Sequence, residues 1–221
     1  MSQLSGSCEE LQVISVDEKT GMQALSRKES CSKGSRRLDF EYQRNGTSCL
    51  MAAVDVKDGA IAHYKLTKTR KEEDFLEFVK GTVQKYPQEQ QVVFIADQLN
   101  THLSESLVRW VAQQIDFQED LGKKRYKGIL KSKKTRQAFL ENKAHRIRFV
   151  YTPKHCSWLN PIENWFARLQ RQVIQYGNFA SIAALNDKVE QYIEYYNESL
   201  KKPLNWKFKG FTKDYKFSWL E

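Results

Sequence analysis

Cysteine pairing is the first thing missing from this 221-residue chain. Cys8, Cys31, Cys49 and Cys156 form no CxxC pair and no regular spacing, so neither a disulfide framework nor a cysteine zinc site is expected. His155 beside Cys156 reads as ordinary loop chemistry, because no second pair accompanies it. Reduced thiols and a cytoplasmic setting follow as the default. No apolar run approaches the length of a membrane span, and the start SQLSGSCEE lacks the basic-then-apolar layout of a signal peptide. Without such a signal, the Asn-x-Ser/Thr triplets at Asn45 and Asn197 carry no meaning. Internal repeats are also absent. Acidic residues are missing from one stretch, Gly122 to Arg136. It holds Lys123, Lys124, Arg125, Lys127, Lys131, Lys133, Lys134 and Arg136 and accounts for most of the net charge of +9.

What is present suits a folded domain. Apolar residues make up 40% and aromatics 12%, enough for a real core at this length. A pI of about 9.3 is what a polyanion-binding protein has, although a soluble protein can also be basic without such a partner.

The first part reads as β-rich. Leu11 to Asp17 is a short strand followed by the turn Glu18-Lys19-Thr20-Gly21. Leu38 to Gln43 is expected to meet Leu50 to Val56 through Arg44-Asn45-Gly46, a hairpin signal. Lys57-Asp58-Gly59 turns into Ala60 to Leu66. The second part alternates. Helical spacing marks Lys71 to Tyr86, Ser104 to Ile115, Pro161 to about Tyr176 and Ser181 to about Ser199. Val92 to Ala96 is a continuous apolar run, as in a strand covered on both faces, and Arg146 to Tyr151 alternates. An antiparallel meander followed by helices and parallel strands is a mixed α/β sheet flanked by helices.

Three acids stand at element ends: Asp17 after Leu11 to Val16, Asp97 after Val92 to Ala96, and Glu163 in a helix's first turn. Asn160 is the expected N-cap of that helix, with Pro161 at its first position. Gathered together, such acids hold two divalent ions, which neutralise charge at a phosphodiester and activate an oxygen nucleophile. Each acid also has an ordinary local use. Asp17 can open a turn, Asp97 can cap the following segment, and Glu163 can complete a capping box.

The segments VDEKTGMQAL, IADQLNTH, RIRFVYTPKHCSWLNPIENWF and DKVEQYIEYYNES, in this order, resemble the catalytic domain of DDE transposases. The likeness is nearest to the bacterial insertion-sequence branch of the mariner superfamily, and it runs from about Leu11 to Lys209. It implies a ribonuclease H-like domain over 11–209, with a basic insertion at about 117–145 and short tails at 1–10 and 210–221. It implies Asp17, Asp97 and Glu163 as catalytic metal ligands for two Mg²⁺ (or Mn²⁺), with the first acid bridging both ions. Lys19, Asn100 and His102 take supporting roles, orienting ligands or contacting phosphates, while His102 serves equally well as a structural histidine. Trp158 and Trp165 read as packing residues of the entry to the Glu163 helix rather than as base-stacking platforms. The basic segment would bind DNA phosphates, with Tyr126 available to stack.

Departures from the family pattern are Gln98 where Asn is usual, Pro161 where a polar residue is commoner, and a long stretch between Asp97 and Glu163. The implied activity is DNA cleavage and strand transfer at element ends, with a homodimer as the working form. The short lead before the first strand leaves no room for a helix-turn-helix region, so end recognition is expected from a separate polypeptide. The alternative is a truncated remnant that binds DNA or a partner without cutting.

Overall fold

The computed structural model describes residues 11–32, 35–154 and 156–204; the tails expected at 1–10 and 210–221 lie outside the described residues. Five strands form one sheet: β1 (Gln12–Ser32), β2 (Ser35–Asp55), β3 (Ile61–Thr67), β4 (Val92–Ala96) and β5 (Ile147–Tyr151). Their spatial order is β3-β2-β1-β4-β5. The first three pair antiparallel, and β4 and β5 add in parallel. Helices α1 (Glu72–Val83), α2 (Glu105–Gln114), α3 (Lys133–Leu140), α4 (Ile162–Leu169) and α5 (Ile182–Tyr195) cover the sheet. This is the mixed, helix-flanked α/β sheet that the hydropathy pattern predicts.

Two apolar clusters lie on opposite faces, as strand alternation dictates. Ile14 and Val16 of β1 and Met51 and Ala53 of β2 join Phe75, Phe78 and Leu107 from α1 and α2. Leu50, Ala52 and Val54 point the other way, against Ile162, Phe166 and Leu169 of α4 and Leu185 and Val189 of α5. Every residue of β4 is buried, as expected of a central parallel strand. On the edge strand β5 only alternate residues are buried.

Two expected turns are absent. The chain does not reverse at Glu18–Gly21; β1 runs on, and the irregularity between Lys19 and Met22 is taken up in its pairing with β2. Gly21, at φ +65°, supplies the left-handed residue such a bulge uses. Asn45-Gly46 likewise lies inside β2 rather than at a hairpin tip. The Asn45 amide is used elsewhere, donating to Ser26 Oγ at 2.9 Å and to the Phe179 carbonyl at 2.8 Å. A Cβ on Gly46 would stand 2.6 Å from Ile182 Cδ1, so this glycine lets α5 approach the strand.

The basic segment runs at its end into helix α3, whose first turn is Lys133 to Arg136. Ser132 caps it, its hydroxyl accepting from the Thr135 amide at 3.2 Å. Lys133 and Lys134 stand at the positive end of that helix, a placement the helix dipole disfavours. Buried Leu130, Phe139 and Leu140 offset it by tying the segment into the core.

Candidate active site

Asp17, Ser15 and Asn160 form the buried side of the site. Odd-numbered residues of β1 face α4, so Ser15 and Asp17 meet the segment that leads into that helix. The Ser15 hydroxyl donates to Asn160 Oδ1 at 2.5 Å and accepts from the Ile162 amide at 2.9 Å. Asn160 Nδ2 donates to the Val16 carbonyl at 2.9 Å and lies 3.3 Å from Asp17 Oδ2. Asn160, fully buried, therefore does not cap α4 with its side chain as the sequence suggests; α4 has no side-chain cap. It fastens the start of the helix to β1 and braces the first acid.

Even-numbered residues face the opposite layer, which sends Glu18 away from its neighbour Asp17. Its carboxylate lies 3.2 Å from His102 Nε2, and His102 Nδ1 lies 2.7 Å from Asp97 Oδ1. The imidazole is fully buried, Glu18 nearly so, and the Phe75 ring lies 4.2 Å from it. Burial opposes a charge on His102, but the hydrogen bonds to Asp97 and Glu18 outweigh it and raise its pKa to about 10. A protonated ring thus joins the carboxylate of Glu18 on β1 to that of Asp97 just beyond β4. Tyr151 donates to the His102 carbonyl at 2.8 Å, tying the turn to β5.

The three acids lie within reach of one another's charge. Burial raises the Asp17 pKa to about 7; the Glu18 amide and His102 oppose the shift, while Asp97 and Glu163 add to it. Glu163 is also raised, by partial burial and by Asp97, with Lys19 acting against both. Burial pushes Asp97 upward too, but His102, the Leu99 amide and Lys133 leave it below the ordinary value. Lys19 belongs to this group, since Glu163 resists the drop that burial imposes on its pKa. Among the described residues no group of three or more His, Cys, Asp or Glu side chains is arranged to hold a metal ion. The donor set nevertheless suits a hard divalent cation, being all carboxylate oxygen. A cation there would also offset the burial, and the lesser repulsion, that raise Asp17 and Glu163.

The remaining sequence candidates divide. Asn100 is exposed, and its carbonyl accepts from the Leu103 amide at 3.3 Å; no hydrogen bond joins its side chain to the acids. Lys133 reaches the Gln98 carbonyl beside Asp97. Arg136 is spent on the Leu103 and Leu130 carbonyls, at 2.7 and 3.2 Å. Two cations that lack an acid within their own segment find one outside it: Lys127 pairs with Asp120 at 3.0 Å, and Lys124 stands 4.0 Å from Glu105. Lys123, Arg125, Lys131 and Lys134 are exposed, with no carboxylate partner among the described residues. Trp165 is buried as expected, but Trp158 is 70% exposed and takes no part in the core. Glu18 and Ser15 carry no motif of their own. Only the alternation of β1 could have shown that Asp17 and Glu18 serve opposite faces.

Among solved structures, the fold is similar to three of the Mos1 transposase. The paired-end complex with the left transposon end has a TM-score of 0.54 at 13% identity, over 88% of this chain and 50% of that one. The paired-end complex with Mn gives 0.53 at 13% identity over the same shares. The strand transfer complex gives 0.52 at 13% identity, over 85% and 47%. The likeness shows a ribonuclease H-like fold, and this chain spans about half the length of the Mos1 chains. No curated protein matches it. A family model described as DDE superfamily endonuclease matches residues 12–186, most of the chain, including Asp17, Asp97 and the start of α4. By that match, the chain belongs to the DDE superfamily endonucleases.

Proposed function

We propose that this chain is the catalytic domain of an insertion-sequence transposase of the mariner superfamily, cutting and joining DNA strands at Asp17, Asp97 and Glu163. The observation that supports the reading is that Asp97 and Glu163 both act on the charge of Asp17, and Asp97 on that of Glu163. Two Mg²⁺ or Mn²⁺ ions held there would supply charge neutralisation at the scissile phosphate and activation of the attacking oxygen.

The chain's own residues prepare that site. Asn160 holds one oxygen of Asp17, and the Glu18 amide, 2.8 Å away, holds the other. His102 holds Asp97 Oδ1 from below, with Glu18 supplying the balancing charge. Lys19 offsets the negative field at Glu163. Lys133, at the positive end of α3 and beside Gln98, stands ready to meet a phosphate approaching Asp97. Lys123, Arg125, Lys131 and Lys134, without carboxylate partners, extend that attraction along the DNA. Two copies acting on two element ends, a separate helix-turn-helix polypeptide for end recognition, and a cytoplasmic location belong to the same reading. No helix among the described residues is long and apolar enough to cross a membrane.

A nicking assay on supercoiled and linear DNA, with and without Mg²⁺ or Mn²⁺, tests this. The native chain should nick in a metal-dependent way, and Asp97→Ala should lose that activity by at least a hundredfold, about 2.7 kcal/mol or more in transition-state stabilisation. Equal rates for the two proteins end the reading.

A further inference from the structure

We propose that Trp158 is a stacking platform for an unpaired nucleobase of the DNA strand entering the acid site. This deepens the nuclease reading and rests on it.

The indole is large, apolar and 70% exposed, yet its backbone is held on both sides. Trp158 sits in the single helical turn Ser157–Leu159, where the Leu159 amide donates to the Cys156 carbonyl at 3.0 Å and the Asn160 amide to the Ser157 carbonyl at 2.7 Å. Two residues downstream is Asn160, which is fully buried and reaches Asp17. Upstream, the Thr152 amide bonds the Ala96 carbonyl at 2.9 Å, and Gln98 bonds the Thr152 carbonyl at 3.1 Å. The segment bearing the indole is thus flanked by a bond to Asp17 on one side and by bonds to the two neighbours of Asp97 on the other. Trp165 behaves differently: its ring packs 6.2 and 6.1 Å from Tyr192 and Tyr196 in the core.

The surroundings point to a nucleotide. Immediately before Trp158, a cleft of about 380 Å³ is lined by Asp97, Thr152, Pro153, Lys154 and Ser157. It offers one cation for a phosphate and leads to an acid of the site. A strand bent into this cleft would place a phosphate near Asp97 and a base near the indole. A base leaving the duplex beside the cut loses a stacking partner, and an aromatic face replaces it whatever its sequence. Lys154 and the overall charge of +9 fit a polyanionic strand and disfavour a basic peptide.

The test uses the full chain in EDTA, titrated with a short single strand carrying one 2-aminopurine and, separately, with a blunt duplex. The native chain should bind the single strand and quench the probe. Trp158→Ala should weaken single-strand binding roughly 5- to 150-fold and lose the quenching, while duplex binding changes less than about twofold. Trp158→Phe should keep most of both, because a ring face remains. Single-strand binding unchanged in Trp158→Ala, or lost equally in Trp158→Phe, overturns the proposal. Photocross-linking of 5-iodouracil DNA to the native chain needs no variant: a cross-link at Trp158 supports the platform, and its absence there counts against it. Trp158-dependent binding in a chain that never nicks would sink the nuclease reading alone. Nicking without Trp158-dependent binding would sink this one alone.

Discussion

Asp17 carries a strained charge, and its consequence for stability can be measured. The folded chain holds the Asp17 proton more tightly than the unfolded chain does, with a pKa near 7 against 3.8. Its stabilising contribution is therefore complete below about pH 4 and disappears as pH rises through about 7, at roughly 1.4 kcal/mol per pH unit inside that window. In EDTA at pH 8, Asp17→Asn should melt several degrees above the native chain, with the two converging toward pH 4. A variant that melts at or below native at pH 8 contradicts this. Glu18 calls for a different measurement, because Glu18→Gln keeps the shape and removes the charge that balances His102. Loss of such supporting partners costs roughly 10- to 100-fold in metal affinity or activity. The Mg²⁺ concentration for half-maximal nicking should rise accordingly; an unchanged midpoint would reduce Glu18 to a packing role.

Helix α4 is held on the sheet by its apolar face, but its N-cap position supplies no side-chain bond, so the placement of its start depends on the polar node of Ser15 and Asn160. Asn160→Ala would leave the Val16 carbonyl and the Ser15 hydroxyl short of partners in a buried place. The expected cost is roughly 2–3 kcal/mol, or about 4–12 °C in melting temperature for a chain of this size. Because the same residue braces Asp17, nicking should fall further than the lost stability explains. Urea unfolding alongside single-turnover rates separates the two effects. The elements themselves were largely readable beforehand. Phe75, Phe78, Val79 and Val83 recur at helical spacing, and all four are buried on α1. The errors came where a turn signal serves another purpose. Asn45 hydrogen-bonds across to Ser26 and Phe179, and Gly46 clears space for Ile182, neither of which a local reading of Asn-Gly can reveal.

Across the whole molecule, the excess positive charge is unevenly available. Lys124 and Lys127 face Glu105 and Asp120, and Arg136 is committed to backbone carbonyls, whereas Lys123, Arg125, Lys131 and Lys134 have no carboxylate partner among the described residues. Alanine at each of these four should lower the slope of log affinity against log salt by about 1 and leave the melting temperature in place. Arg136→Ala should do the reverse, melting earlier with little change in slope. Fluorescence anisotropy on one duplex over a range of salt, with thermal melts alongside, distinguishes these outcomes; equal slopes for all five variants would refute the division.

Periodicity and composition were enough to specify the mixed sheet, helices α1, α2, α4 and α5 and the basic character, but not α3 or the full length of β1 and β2, because burial of apolar faces follows local spacing. Asp97 and Glu163 were legible as candidates because each stands where a regular element stops or starts; Asp17 was picked out by an expected strand end, whereas β1 continues through it to Ser32. The partners of those acids were not legible. Glu18 meets His102, and Ser15 meets Asn160, only because β1 lies between β2 and β4 and shows alternate residues to opposite helix layers. Strand pairing and helix docking set which polar groups share a buried volume, and no spacing along the chain encodes that neighbourhood.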